Sequence, residues 1–298
     1  MKWILCGKND AAVAALEHML EQGDEVFAIG AHGDSDQDGW QRSFSRAARA
    51  LGVRFDAPRR INSSEVVEEL AGFGARALIS IQYDQILKNA LFDRIGCPCL
   101  NLHYALLPRH RGVAPIAWAI LSGDDEAGVS LHHMVEDIDA GDLLAQARVP
   151  IGPETTGREL YDAVSRAAAG LFAESYPFSD ALLATRLVQA ASCASYHRNR
   201  DFDFSQRAVD WGRPAQELQR WLRAMIFPPR QHPELRHGER TLAISRVGAE
   251  LLAASDAAPG TVLELSRRGA RVACVGGSVL LRELSEPLDT LRAGDRLT

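Results

Sequence analysis

Hydrophobic and polar positions alternate along the first 175 residues in a pattern that predicts strands followed by helices. Apolar runs at residues 2–6, 25–30 and 77–82 have the length of buried strands, and segments with helical spacing of apolar residues follow them. Strand, helix and strand in succession form parallel pairs, so this order predicts an α/β, Rossmann-like domain with a mostly parallel sheet. Further predicted strands lie at residues 53–56, 98–103, 128–134 and 142–149.

The helices of this domain are predicted from apolar residues three or four positions apart and from residues that begin or end a helix. Asp10 is the predicted N-cap of the first helix, and Pro177 is expected to end or kink the last one. The predicted helices cover residues 11–21, 40–51, 63–70, 83–92, 114–121 and 155–177.

The pattern changes after residue 189, where a polar segment without a clear period begins. We interpret residues 190–208 as a linker between an N-terminal domain at residues 1–189 and a C-terminal domain at residues 209–298. The C-terminal domain is predicted to hold one helix, at residues 214–223, and several short strands, which favour a small β-rich, barrel-like (OB-like) fold. These strands are predicted at residues 241–247, 260–265, 270–275 and 278–284.

Composition adds few constraints. The 298 residues are 46% hydrophobic and 24% charged, as is ordinary for a globular protein. No apolar run reaches the roughly 18 residues of a membrane span, and the first residues are typical of a strand rather than a signal peptide, so we expect a cytoplasmic protein without a membrane partner. Five scattered cysteines indicate no disulfide framework, and the spacing of Cys97 and Cys99 indicates no metal site. A net charge of −6 disfavours a nucleic-acid partner.

Polar residues with chemical potential gather where predicted strands end. Asn101 and His103 lie two apart on one strand, so their side chains leave the same face. Ligands bind outside the carboxyl ends of such strands, which places this pair beside the turn at residues 83–87. His132 and His133 are adjacent on a predicted strand and must point to opposite faces, so we expect strand residues near a pocket rather than metal ligands.

Four further residues are candidates for contacts with a phosphate or carboxylate of a substrate. Lys8 and Asn9 follow the first strand and precede a helix, and a helix N-terminus attracts anions. Arg109 and Arg111 lie on a Pro/Gly loop that follows His103. Arg111 has a second interpretation, as a structural clamp on its own loop.

Three blocks of sequence resemble the folate-dependent formyltransferases. They read NLHYALLPRHRGVAP at residues 101–115, ILSGDDEAGVSLH at residues 120–132 and IDAGDLLAQ at residues 138–146. The family includes methionyl-tRNA, glycinamide ribonucleotide and nucleotide-sugar N-formyltransferases. The C-terminal domain resembles the small barrel-like domain of the tRNA and sugar members.

The resemblance implies a reaction and a set of site residues. The donor would be N10-formyltetrahydrofolate, a co-substrate used without a metal, and the acceptor a primary amine. Asn101, His103 and Asp139 match the catalytic amide, imidazole and carboxylate of the family: the Asn101 amide and a protonated His103 would stabilise the oxyanion, and Asp139 would orient and charge His103. Asp142 is expected to order the same turn. Main-chain groups would hold the pterin at Asp84, Gln85, Ile86, Leu87, Val135 and Glu136.

The acceptor amine is less clearly indicated. Tyr104-Ala105 stands where the tRNA enzymes usually read Pro-Ser, and the Gln82–Leu87 turn and the Phe227–Gln231 segment also depart from their pattern. With the acidic net charge, these departures favour the amine of a nucleotide-linked amino sugar. The alternatives are a small amine (an amino acid, hydroxyornithine or a natural-product intermediate), methionyl-tRNA, and a folate-binding regulatory module without activity. A homodimer is left open.

Overall fold

The computed structural model describes residues 1–34, 39–251 and 256–298. Within these ranges the chain forms two compact units. The first unit contains residues 1–112, 128–149 and 163–196, and the second contains residues 113–127, 150–162 and 197–298. Two segments of the predicted N-terminal domain, residues 113–127 and 150–162, therefore group with the C-terminal residues.

Strands of the first half of the chain form a mixed, mostly parallel sheet, as the apolar pattern predicts. The strands up to residue 197, within and beside this sheet, are β1 Lys2–Gly7, β2 Glu25–Gly30, β3 Arg54–Asp56, β4 Ala77–Ile81, β5 Cys99–His103, β6 Arg111–Gly112, β7 Glu126–His133, β8 Leu143–Pro150 and β9 Tyr196–His197. In the described residues the order of the sheet is β3-β2-β1-β4-β5-β7-β8, with parallel pairing from β3 through β5 and an antiparallel pair between β5 and β7. The two-residue strands β6 and β9 stand outside it.

The helices in the described ranges follow the predicted order with shifted ends, apart from one at residues 180–183 that the pattern does not predict. They are α1 Asn9–Glu21, α2 Phe44–Ala50, α3 Ser64–Phe73, α4 Asn89–Ile95, α5 Pro115–Ser122, α6 Gly157–Ser175, α7 Asp180–Leu183 and α8 Ala215–Met225. The second begins at Phe44 rather than at residue 40, because the Ser43 hydroxyl accepts a hydrogen bond from the Arg46 N–H and caps it there. Asp10 lies inside the first helix instead of capping it. Residues 83–88 form a loop, and the helix expected there begins at Asn89.

The apolar core of the first unit holds the ends of the sheet strands in place. Every residue of β4 is buried, as expected for a central parallel strand covered on both faces. Ile4, Phe27 and Leu78 pack with Leu70 and Leu91 from the helices. Burial of each such side chain stabilises the fold by about 1.5–3 kcal/mol. The sheet therefore holds the ends of its strands, and the loops that follow them, in fixed positions.

The second unit contains an antiparallel sheet, in agreement with the predicted β-rich fold. Its strands are β10 Glu234–His237, β11 Arg240–Val247, β12 Val262–Ser266, β13 Gly269–Cys274 and β14 Gly277–Leu284. In the part of the chain that the structure describes, their order is β10-β11-β14-β13-β12. The core of this unit joins α8 to the sheet, because Leu218 and Leu222 belong to the same apolar cluster as Leu242, Ile244 and Leu281.

The strand of this sheet that the sequence pattern does not predict is β10, because it is short and polar. The other four strands of this sheet lie within two residues of their predicted positions. None of the helices in the described ranges is both long and apolar enough to cross a membrane.

Candidate active site

The antiparallel pairing of β5 with β7 collects three polar side chains on one face. Asn101 lies opposite His132, and His103 lies opposite Ser130. Opposite residues of an antiparallel pair project to the same side, as do residues two apart on one strand, so Asn101, His103 and His132 share a face. The two histidines are buried and Asn101 is half-buried.

Asp139 completes this cluster from the turn after β7. Its backbone has a φ of +55°, in the left-handed region that non-glycine residues rarely adopt. Its Oδ2 accepts a hydrogen bond from the Gly112 N–H at 2.8 Å and lies 3.5 Å from His103 Nδ1. Its Oδ1 lies 3.4 Å from Asn101 Nδ2 and 3.5 Å from His132 Nε2. The structure therefore brings the predicted amide, imidazole and carboxylate together.

The other acid of the turn, Asp142, lies outside the cluster. Its Oδ2 is 3.9 Å from Arg186 Nε, and its carbonyl accepts a hydrogen bond from the His133 N–H. Asp142 thus orders the end of the turn, while Asp139 faces the two buried histidines.

Hydrogen-bond partners fix where the ring protons lie. His103 Nε2 is 2.8 Å from the His110 carbonyl, which can only accept, so Nε2 carries a proton and Nδ1 faces Asp139. His132 Nδ1 is 2.8 Å from the His133 carbonyl and carries a proton for the same reason. His132 Nε2 can then accept from Asn101 Nδ2, at 3.2 Å. His132 therefore orients the Asn101 amide, a role that the sequence pattern does not assign to it.

Burial and charge act in opposite directions on this cluster. Burial lowers the pKa of His103, and Asp139 and the His110 carbonyl offset part of that shift. Burial raises the pKa of Asp139, but His103, His132 and the Gly112 N–H outweigh it and hold that pKa well below its ordinary value. At neutral pH the cluster therefore holds a carboxylate beside an imidazole that has room for a second proton on Nδ1.

A segment to which the sequence pattern assigns no function supports the cluster. The Gln189 side chain donates to the carbonyls of Asp139 and Gly141, and it accepts from the Arg111 guanidinium. The Ser195 hydroxyl accepts from the His110 N–H at 2.8 Å. Neither Gln189 nor Ser195 stands in a periodic or motif-like context, so no sequence signal marks them.

The predicted pterin residues at 84–87 differ in burial and in how their side chains are bonded. The Asp84 carboxylate accepts from the Gly33 N–H at 2.7 Å, and the Gln85 side chain bonds to the Pro58 carbonyl and the Ile61 N–H. Leu87 is buried in the core and can offer a ligand only its backbone. Ile86 is 63% exposed.

The two predicted pterin residues on the loop after β7, Val135 and Glu136, are both exposed. Val135 is an exposed apolar side chain, and so is Ile138 farther along the same turn. The Glu136 carboxylate accepts a hydrogen bond from Asn89 at 2.8 Å. Exposed apolar side chains on a loop beside a polar cluster are suited to contact a flat ring.

The four candidate substrate residues lie in two places. Lys8 and Asn9 follow β1, where the Lys8 N–H donates to the Ile81 carbonyl at the end of β4. Arg109 is exposed on the loop after His103. The Arg111 guanidinium donates to Gln189, 78 residues away, rather than to a partner on its own loop. Among the described residues, no group of three or more His, Cys, Asp or Glu side chains is arranged to hold a metal ion.

This amide–imidazole–carboxylate cluster, in a mostly parallel sheet, has the hydrogen-bond donor and the proton acceptor that a group-transfer site needs. The family model for formyl transferase matches residues 7–175, and the model for the formyl transferase C-terminal domain matches residues 204–291. The chain therefore belongs to the folate-dependent formyltransferase family.

Relatives of known name cover nearly the whole chain. Methionyl-tRNA formyltransferase of Symbiobacterium thermophilum is 35% identical over 95% of this chain and 87% of its own length. The enzyme of the same name from Geotalea uraniireducens is 30% identical over 100% of this chain and 94% of its own length.

Solved structures share the fold at lower identity. The sugar 3N-formyl transferase WlaRD has a TM-score of 0.75 at 22% identity, covering 96% of this chain and 99% of its own. The N-formyltransferase of Helicobacter canadensis, solved with folinic acid and dTDP-3-aminofucose, has a TM-score of 0.73 at 21% identity, covering 95% and 99%.

Proposed function

We propose that this enzyme transfers a formyl group from N10-formyltetrahydrofolate to the amine of methionyl-tRNA. The observation that supports methionyl-tRNA as the acceptor is the whole-chain similarity, at 30–35% identity, to methionyl-tRNA formyltransferases. The sugar enzymes are 21–22% identical, a level at which similarity speaks for the fold alone. The amino sugar that the sequence pattern favours therefore becomes the second candidate.

The geometry of the cluster supports the following steps of formyl transfer. The acceptor nitrogen attacks the formyl carbon while His103 takes a proton from that nitrogen on Nδ1, beside Asp139. The Asn101 amide donates to the formyl oxygen as negative charge develops there, in place of its long contact with Asp139. The bond between the formyl carbon and N10 then breaks, and N10 takes the proton from His103. The products are the N-formyl amine and tetrahydrofolate.

Exposed apolar side chains support the assignment of the donor. Ile86 and Val135 are large apolar residues that the fold leaves exposed, one on each of the loops expected to hold the pterin. The side chains of Asp84 and Gln85 are occupied by neighbouring loops, which leaves the main chain of this turn for the polar edge of the ring. These residues fit a flat ring with a hydrogen-bonding edge.

The distribution of charge is compatible with an RNA acceptor. Residues 204–298 contain 14 arginines against 11 aspartates and glutamates, whereas residues 1–203 contain 19 basic against 28 acidic residues. The net charge of −6 is thus the sum of an acidic region and a basic one. Phosphate contacts depend on local charge, so the overall balance does not argue against tRNA.

The Tyr104-Ala105 pair, a sequence feature that favours the amino sugar, has a packing role in the structure. Tyr104 is 2% exposed, and its hydroxyl lies 3.2 Å from Ser165 Oγ. Ala105 is buried as well. Both residues serve the packing of the first unit, so their difference from the tRNA enzymes need not reflect a different acceptor.

Formyl transfer to matched acceptors tests the proposal. We expect transfer from N10-formyltetrahydrofolate to methionyl-tRNA with a kcat/KM at least about 100-fold above that for a dTDP-linked amino sugar. Release of tetrahydrofolate and formation of the formylated product are both measured, with His103→Ala as the inactive control. The reverse preference would replace tRNA by the amino sugar, and no transfer to either would leave a folate-binding module.

A further inference from the structure

We infer that Gln189 is a positioning residue that holds the two halves of the active site together. The inference rests on the proposed function, because it assigns Gln189 a part in formyl transfer. Gln189 lies 50 residues from Asp139 in sequence and belongs to none of the motif blocks. It acts through Arg111 and the Asp139 turn rather than directly on the reacting atoms.

Every hydrogen-bonding position of the Gln189 amide is used. Nε2 donates to the Asp139 carbonyl at 2.8 Å and to the Gly141 carbonyl at 2.7 Å. Oε1 accepts from Arg111 Nε at 3.0 Å and from Nη2 at 2.6 Å. The residue is 8% exposed. A buried amide with both donor and both acceptor positions satisfied has one orientation, so it fixes its neighbours.

The Oε1 and Nε2 atoms of Gln189 bond to segments that hold different parts of the cluster. The segment containing Arg111 also supplies the His110 carbonyl, which accepts a hydrogen bond from His103 Nε2, and the Gly112 N–H, which binds Asp139. The other side is the turn that holds Asp139 in its left-handed conformation. Gln189 therefore sets the position of Asp139 relative to His103. The 3.5 Å distance between Asp139 Oδ2 and His103 Nδ1 decides how strongly a proton on Nδ1 is held.

Polar bonds rather than apolar burial hold the segment that carries Gln189. Leu187 and Val188 are 58% and 80% exposed. Leu187 exchanges two backbone hydrogen bonds with Leu143, and the Ser195 carbonyl accepts from the Arg111 N–H. Loss of the Gln189 amide would therefore release the Asp139 turn without opening a large apolar cavity.

The second unit provides a matched control in Gln219. Its Nε2 donates to the carbonyls of Pro153 and Gly248, both at 3.1 Å, and its Oε1 accepts from Arg223 Nε at 3.0 Å. It is 6% exposed. Gln219 thus resembles Gln189 in burial and bonding, but these partners lie outside the catalytic cluster.

The experiment compares Gln189→Leu, Gln189→Glu and Gln219→Leu in the full chain. We expect Gln189→Leu to lower kcat about 100-fold with KM for donor and acceptor changed less than about threefold, because misplacement of catalytic groups acts on the transition state. Gln189→Glu keeps the acceptor for Arg111 but sets a carboxylate against two carbonyls, so it should lower kcat at least as strongly. Gln219→Leu should lower the melting temperature and leave kcat unchanged.

A second readout does not depend on turnover. The ¹⁵N resonances of the His103 ring should shift in both Gln189 variants and stay in place in Gln219→Leu. If Gln189→Leu lost only stability, with kcat within about twofold of the parent and the His103 resonances unchanged, Gln189 would be purely structural. If the parent transferred no formyl group but the resonances shifted as expected, the proposed function would fail while the positioning role remained.

Discussion

The sheets of the two units bury different kinds of side chain: polar groups in the first and an apolar cluster in the second. In the first, the neighbouring strands β5 and β7 place Asn101 and two histidines, rather than apolar side chains, beside Asp139. In the second, the sheet packs an apolar cluster that includes Leu242, Ile244 and Leu281. Buried polar groups require complete hydrogen bonding, whereas apolar side chains stabilise by area alone. We therefore expect rate and stability to respond to substitutions in different units.

The largest expected effect is on rate, in the first unit. His103→Ala removes the group that we propose accepts the amine proton, so it should lower kcat by about 10²–10⁴-fold. Folate binding should persist, because the apolar surface of Ile86 and Val135 is untouched. Single-turnover formyl transfer and donor binding are measured together, and near-full activity of this variant would remove His103 from the mechanism.

The opposite response is expected in the second unit. Leu281 is fully buried, and Leu281→Ala should lower the free energy of unfolding by about 2–5 kcal/mol through lost burial and a cavity. Activity per folded molecule should stay unchanged at temperatures where the variant is folded. Urea unfolding and kcat are measured side by side, and a large fall in kcat without unfolding would contradict the separation of roles.

The sequence predicts best the elements that have the strongest patterns. The buried strands β1, β2, β4 and β5 stand out as apolar runs, and the two-residue spacing of Asn101 and His103 places them on one face. The choice of Asp139 over Asp142 depends on the family resemblance, because both acids flank the same turn.

The remaining parts of the site depend on long-range contacts. The antiparallel direction of β7 decides that His132 faces Asn101, and no local pattern in residues 126–133 encodes that direction. Gln189 bonds to residues 48 and 78 positions away, so its role follows from the folded chain alone. The short strand β10 lacks the apolar alternation that would mark it.

A smaller effect is expected from the positive charge of residues 204–298. Arg267 and Arg268 are exposed at the turn between β12 and β13. If this region binds tRNA, Arg267→Glu with Arg268→Glu should raise KM for methionyl-tRNA several-fold and reduce the slope of log KM against log salt by about two. Substitution of both by lysine is the control that keeps the charge. An unchanged KM would remove this turn from the interface.

The smallest expected effect concerns the acidity of His103. Burial is the largest cause of its lowered pKa, and repulsion from a protonated His132 lowers it further, so His132→Gln should raise that pKa. Because His103 must be neutral to accept a proton, activity is lost as pH falls through its pKa, and the acidic limb of kcat/KM should move to higher pH by less than about one unit. A glutamine can still accept from Asn101, which keeps the amide oriented. His237→Gln, in the second unit, should leave the profile unchanged, and an equal shift in both variants would show that the effect does not arise in the cluster.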